Sequence, residues 1–495
     1  MAIRHVTIVG GGIAGLSVAY YLQRKSAEEG ISIAYTLLEA GSWLGGKVRT
    51  LRRDGFVIEG GPDSFITQKP WGLQLCRDLD LDDRLIPCNE AAQKVYVVRK
   101  GRLVLLPAGF RLAVPTKWGP FVRTPLLSPA GKLRVAMDLV IPRRTGTDDE
   151  SIGDFVRRRF GREALEAMAG PIMAGIHVAD PESLSLRATY PMFADVEQEH
   201  GSLIRGLTRA RKARAGQPPP PPLFMSFRDG MQTLTERLAS NLTGDIRTGE
   251  KVTGLRRIPD GYEVLTADEV PLRTDAVVLA APADVAAGLL APHDEKLADA
   301  LRAVRSVSSA TLSLGFRCSD LRGVPPFDGF GFMVPHREQR NILACTWSST
   351  KFSFRAPEGM ALVRVFVGGA RQEPVAEKSD EEIRRLVLDE LSDLMKIRCE
   401  PVIEKLFRWP KGNPQYDVGH LERVAAVEER VRRLSGIYLA GSSYRGIGIP
   451  DCIESALNVV DRLLRDTADS SASASAREPR ERGESAGLPV DRRTV

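Results

Sequence analysis

The sequence predicts an α/β fold in which one parallel-sheet domain is assembled from distant stretches of chain. Three observations predict it. A strand–turn–helix–strand unit opens the chain, and a strand, a glycine-rich turn and a helix recur near its end. Between them lie a helix-biased, proline-punctuated stretch and a strand-rich stretch. A length of 495 residues suggests about three compact units.

Composition narrows the class. Apolar residues make up 43% and charged residues 27%, which excludes a disordered or fibrous chain. The net charge is 69 − 63 = +6, a mild excess that suits anionic substrates or surfaces without demanding a nucleic acid. Six cysteines and six histidines are scattered with no zinc spacing, so no metal site is expected. The thiols read as reduced and the compartment as cytoplasmic. No apolar run is long and unbroken enough for a membrane span, and three glycines interrupt the one candidate leader segment.

Taken in order, Val6–Val9 is a β-branched buried strand, Gly10–Gly15 a turn, and the stretch from Ile13 an amphipathic helix. Ile31–Leu38 reads as the second strand, ending in Glu39. From about Leu85 to Ala215 the chain is helix-biased and rich in Arg and Lys. Pro218–Pro222 reads as an exposed spacer loop. Val277–Pro282 is a further buried strand, and about Ala310–Gly369 suggests an antiparallel sheet. Gly436–Ala440 is the last strand, followed by a helix over about Asp451–Arg465, with Ile453, Leu457, Val460 and Leu464 on one face. From Thr467 onward almost no large apolar side chains remain, so 467–495 reads as a disordered tail.

The chemistry is carried by glycine loops. Gly10, Gly11, Gly12, Ile13, Ala14 and Gly15 match G-x-G-x-x-G between a strand and a helix. In that setting the glycines allow the turn, the backbone approach to a pyrophosphate and close helix packing. The helix N-terminus offers free N–H groups to phosphate. Glu39 stands at the end of the second strand, where it would accept ribose hydroxyls. The motif leaves NAD and FAD both open.

Further segments carry a resemblance. Leu44-Gly45-Gly46-Lys47-Val48-Arg49-Thr50 and Gly55-Phe56-Val57-Ile58-Glu59-Gly60-Gly61-Pro62-Asp63-Ser64-Phe65 resemble the loops beside FAD in the flavin monoamine oxidase superfamily. Ile437–Ile453 resembles its C-terminal flavin element, with Asp451 and Glu454 spaced as a capping box. Glu199–Ile204, Asp328–Pro335 and Phe407–His420 are similar to porphyrinogen oxidase signatures. The chain therefore resembles the oxygen-dependent protoporphyrinogen and coproporphyrinogen III oxidase family from about Val6 to Leu464. Val114–Lys117, Pro120–Val122, Lys132–Asp138, Ala344–Trp347, Ala356–Gly359 and Gly448–Ile453 look closer to the coproporphyrinogen III branch.

The resemblance implies a discontinuous Rossmann-like FAD-binding domain (1–85, 225–300 and 405–466), a mixed-sheet substrate domain (301–404 with flanking segments) and a helical insert (95–210). It implies FAD contacts at Gly10 to Gly15, Glu39, Ala40, Lys47, Gly61, Pro62, Asp63, Ser64, Val252, Trp409, Ile447, Gly448 and Ile449. Lys69, Lys94 and Gly175 are the candidate substrate residues. Where relatives often read Gly-Ile-Tyr-Ala-Gly-Asp, this chain has Gly175-Ile176-His177-Val178-Ala179-Asp180, which questions the geometry around His177 and Ala179.

The implied reaction is six-electron oxidation of coproporphyrinogen III, with dioxygen giving hydrogen peroxide, in haem biosynthesis. Hydride leaves a macrocycle methylene for flavin N5, and no catalytic base is named. His420 lacks a visible acidic partner and reads as structural. Protoporphyrinogen IX oxidation is the alternative. A flavin amine oxidase, a carotenoid desaturase and a non-catalytic porphyrin-delivering scaffold remain rivals. The expected partners are the porphyrinogen, dioxygen, a ferrochelatase receiving product, and at most a peripheral membrane contact.

Overall fold

The computed structural model describes residues 3–146, 148–213, 216, 221–267, 270–325 and 327–475. Its first layer is a five-stranded parallel sheet in the order Asp245–Thr248, Ala34–Glu39, His5–Val9, Ala276–Leu279, Ile437–Leu439. The central strands have no polar face. Val6, Ile8, Val277 and Val278 are fully buried, as expected where helices cover both sides of a parallel sheet. Helices Ile13–Glu28 and Ile449–Ser475 pack on one face with Leu16, Leu22, Ile453 and Val460. The other face is closed by Ala283–Leu290, Glu295–Arg302 and His420–Arg433.

The second layer is a seven-stranded mixed sheet. Its long strands Ser306–Arg317, Met360–Gly368 and Ile403–Pro414 pair antiparallel. Gly331–Met333 joins Val95–Arg99 in parallel, and Arg102–Leu105 forms the edge. Alternation divides this sheet. Ala310, Leu312, Val363 and Val365 face helix Asp380–Met395, whose Ile383, Val387 and Leu391 complete that core. Thr311, Arg364, Phe366 and Trp409 take the opposite face.

Helices Trp118–Arg123 through Leu203–Ala213 form the third body. At its centre Arg159 and Asp138 are both fully buried and ion-paired. Every group of the pair is used: Arg159 donates to the carbonyls of Ile141, Pro142 and Gly201, and Asp138 accepts from Ser202 Oγ (2.6 Å) and Ile204 N (3.0 Å). The Glu199–Ile204 signature is thus the wrapping of a buried ion pair.

Several boundaries differ from the sequence reading. Strand Ala34–Glu39 starts later than Ile31, because the Ile31 N–H is drawn back to the Ser26 carbonyl as the preceding helix ends. The helical body begins at Trp118 rather than 95; Val95–Arg99 and Arg102–Leu105 are a hairpin turning at Lys100–Gly101, both with positive φ. The last helix runs to Ser475, past the expected tail start, and Thr467 is buried with its hydroxyl on the Leu463 carbonyl. Pro218 to Pro220, and the tail from 476, lie outside the described residues.

Candidate functional site

The site is built at the carboxyl end of the parallel sheet, where ligands sit in open α/β folds. Helix Ile13–Glu28 starts at Gly12 with no side-chain cap and no acidic residue in its first turn. Its first N–H groups and the positive end of its dipole are therefore open to an anion. The glycines here have separable reasons. A Cβ on Gly10 would lie 2.6 Å from the Ala280 carbonyl oxygen, and one on Gly15 would lie 1.9 Å from that of Gly10. A Cβ on Gly12 would meet nothing within 4 Å. The protein itself needs the first two glycines, whereas at Gly12 open space lies over the uncapped helix start. That cradle fits the pyrophosphate of a dinucleotide.

Glu39 binds the loop from below. Its two oxygens accept Gly11 N–H (2.6 Å) and Gly41 N–H (2.7 Å), leaving one lone pair on each for ribose hydroxyls. Ala40 follows it, and Glu250 N–H bonds the Glu39 carbonyl, which brings Val252, 7% exposed, to the same sheet end. The second glycine loop closes on the first: Gly45 N–H donates to the Gly11 carbonyl at 2.8 Å. Next along it, the exposed Lys47 donates to the Gly412 carbonyl. Lys47 and Gly61 belong to backbones that cross so closely that a Cβ at Gly61 would lie 1.8 Å from the Lys47 carbonyl oxygen.

The Gly60–Ser64 loop then reaches the front face of the mixed sheet. The Gly60 carbonyl accepts from Trp409 Nε1 (2.9 Å), Arg364 Nη2 (3.0 Å) and Thr311 Oγ1 (3.3 Å). After Pro62, Asp63 pairs with Lys351 at 2.8 Å and accepts from Ser64 Oγ. Burial alone would raise the Asp63 pKa, but Lys351 and Arg364 outweigh it and hold the carboxyl at about 2. Met333 continues the front face through Ala344 and Phe366, and it stands over Gly175 of helix Gly170–His177, where an added Cβ would lie 3.6 Å from the Met333 Sδ. The nucleotide cradle, the aromatic and cationic sheet face and the Gly175 helix thus adjoin. A cavity of about 660 Å³ elsewhere, between the helical body and the sheet end, has no glycine-loop residue in its lining.

The C-terminal element starts earlier than the sequence suggests. The helix begins at Ile449, directly after Gly448, and Ile447 packs against the helical body. Asp451 lies in the first turn and accepts Gly448 N–H at 2.9 Å, the part of a capping box that the third helical residue plays. Asp451 therefore does not cap the helix with Glu454 as its partner.

The candidate cations are engaged. Lys69 is ion-paired with Asp451, and Lys94 with Asp328 at 2.6 Å. Sequence could not reveal these partners, which are hundreds of residues away. At the departure from the family pattern, the strained residue is Val178 (φ 55°) rather than Ala179. His177 hydrogen-bonds Tyr190 Oη at 3.0 Å, and burial lowers its pKa to about 4. His420 is fully buried and gives Nε2–H to the Tyr444 carbonyl at 2.8 Å, a structural placement. Arg364, Lys351 and Thr311 were not marked by sequence; strand alternation was the available signal for Arg364 and Thr311, whereas Lys351 ends the short helix Ser348–Lys351.

A family model for flavin containing amine oxidoreductase matches residues 13–464. A coproporphyrinogen III oxidase of Bacillus subtilis is 37% identical over 93% of this chain and 98% of its own length. That of Staphylococcus aureus is 32% identical over 91% and 97%. The chloroplastic protoporphyrinogen oxidase 1 of Arabidopsis thaliana is 28% identical over 91% and 86%. A crystal structure from Exiguobacterium sp. 255-15, provisionally assigned as a protoporphyrinogen oxidase, superposes with a TM-score of 0.84 at 34% identity, covering 94% of this chain and all of that one. With the cradle fitting a dinucleotide and the family model covering nearly the whole folded chain, this chain belongs to the flavin-containing amine oxidoreductase family.

Proposed function

We propose that the protein is an FAD-dependent coproporphyrinogen III oxidase that uses dioxygen as acceptor in porphyrin biosynthesis. The carrying observation is the order of likeness: relatives bearing that name are 37% and 32% identical, against 28% for the plant protoporphyrinogen oxidase. The reaction removes six electrons and six protons from the macrocycle in three two-electron rounds, and three dioxygen become three hydrogen peroxide.

FAD, when bound, supplies the two-electron acceptor. The chain's residues bind and orient. Gly12 and the uncapped helix start hold the pyrophosphate, and Glu39 holds the ribose. The start of helix Ile449–Ser475 directs its positive dipole end at the site, while Lys69 partly offsets the negative charge of Asp451 there. Trp409, Arg364 and Thr311 fix the Gly60–Ser64 loop. The front face of the sheet and the Gly175 helix form the walls for the macrocycle. No side chain is assigned as a base.

Competition between coproporphyrinogen III and protoporphyrinogen IX tests the substrate, followed by porphyrin fluorescence and peroxide. A kcat/KM favouring the four-carboxylate substrate is expected; a preference for the two-carboxylate one overturns the branch and keeps the chemistry.

Among the described residues no helix is long and apolar enough to cross a membrane. Val122 (61% exposed), Leu133 (68%) and Val140 (74%) nevertheless stand among Lys117, Arg123 and Lys132 on the helical body. This supports peripheral contact with an anionic bilayer; handover of product to a ferrochelatase is a further part of the proposal. Co-sedimentation with anionic vesicles that disappears in V122E/L133E is the expected result, and equal sedimentation of the variant contradicts it.

A further inference from the structure

The Tyr416-to-His420 segment does something that neither the glycine loops nor the substrate walls require. The two rings stack with centroids 3.9 Å apart and planes 12° from parallel. Both are buried, Tyr416 at 3% and His420 at 0% exposure. The Tyr416 hydroxyl and His420 Nε2 both address one loop. Tyr416 Oη donates to the Ser442 carbonyl (2.7 Å) and accepts Gly446 N–H (2.8 Å). His420 Nε2–H donates to the Tyr444 carbonyl (2.8 Å). Alternate residues of Ser442–Gly446 are thus clamped by one stacked pair, and the loop leads straight to Gly448 and the helix start at Ile449.

The clamp is fastened on its other side to the helical body. Tyr416 belongs to that body's core, and its carbonyl accepts Ser185 N–H at 2.8 Å. We propose that Tyr416 and His420 are positioning residues: they tie the substrate-side helical body to the loop that aims the flavin-facing helix start. Carbonyl acceptance by Tyr444 requires the Nε2–H tautomer, so His420 Nδ1 keeps its lone pair and has no partner. Neutrality suits it, since burial lowers its pKa.

The inference rests on the flavin reading of that loop. It is tested on purified holoprotein with Y416F, H420L and H420Q. Y416F keeps the stack and deletes both hydroxyl bonds. For Y416F and H420L the expected result is a changed visible flavin circular dichroism and FAD binding weaker by about tenfold, the worth of one or two hydrogen bonds. Turnover should fall with KM nearly unchanged. H420Q, whose side-chain amide can still donate to the Tyr444 carbonyl, should restore most of the loss.

Folded Y416F and H420L with wild-type flavin spectrum, FAD affinity and turnover would overturn the proposal. So would an H420Q no better than H420L. Failure of the flavin reading itself is distinguishable, because wild-type protein would then carry no FAD.

Discussion

At the residue scale, Gly12 separates what the fold needs from what the ligand needs. Gly10 and Gly15 are excluded from substitution by neighbouring backbone, while Gly12 borders open space. G12A should therefore leave thermal stability within about 0.5 kcal/mol of wild type, the range for substitutions without a steric cost. It should still weaken FAD binding by tenfold or more, roughly, because the methyl enters the pyrophosphate approach. Titration of apoprotein with FAD checks this; unaltered affinity would remove the cradle from Gly12.

His177 gives the pH dependence. Its pKa is about 4 in the fold against 6.5 ordinarily, because burial disfavours the cation. The unfolded chain thus takes up the proton first, and stability falls as pH drops from 6.5 toward about 4. In H177F, melting temperature should decline less steeply over that window. Parallel acid slopes for the two proteins would contradict the assignment.

At the element scale, legibility followed the range of the interactions. The opening βαβ unit was readable because its period, glycine turn and acidic strand end are all local. Val95–Val98 and Lys100–Gly101 carried an equally local hairpin signal, but the Arg- and Lys-rich composition around them masked it. What a sequence hides is partnership across the chain. Lys69 reads as a free cation until Asp451 is brought beside it, and Lys94 until Asp328 is. Asp138 reads as a surface acid until Arg159 arrives from the next helix. R159M should destabilise the helical body by about 3–5 kcal/mol, since it strands a buried carboxylate. Urea unfolding measures it, and a loss near zero would mean that water already reaches Asp138.

At the scale of the whole molecule, three bodies meet around one seam. The parallel sheet offers a nucleotide cradle, the mixed sheet a polar and aromatic face, and the helical body the Gly175 wall. The first was readable from motif; of the second, only the strand-rich stretch and Trp409 were. Their juxtaposition was not, because it depends on carbonyls such as that of Gly60, which no sequence pattern marks. The family resemblance supplied the cofactor and the substrate class, while the fold explains which motif residues face a ligand and which hold the protein together.

The most direct test of flavin-dependent porphyrinogen oxidation is anaerobic mixing of yellow holoprotein with coproporphyrinogen III, following the visible flavin band. The expected result is rapid bleaching that admits one two-electron round, with colour and peroxide appearing when dioxygen is readmitted. A flavin that stays oxidised with coproporphyrinogen III and protoporphyrinogen IX, yet bleaches with an amine, would contradict the account.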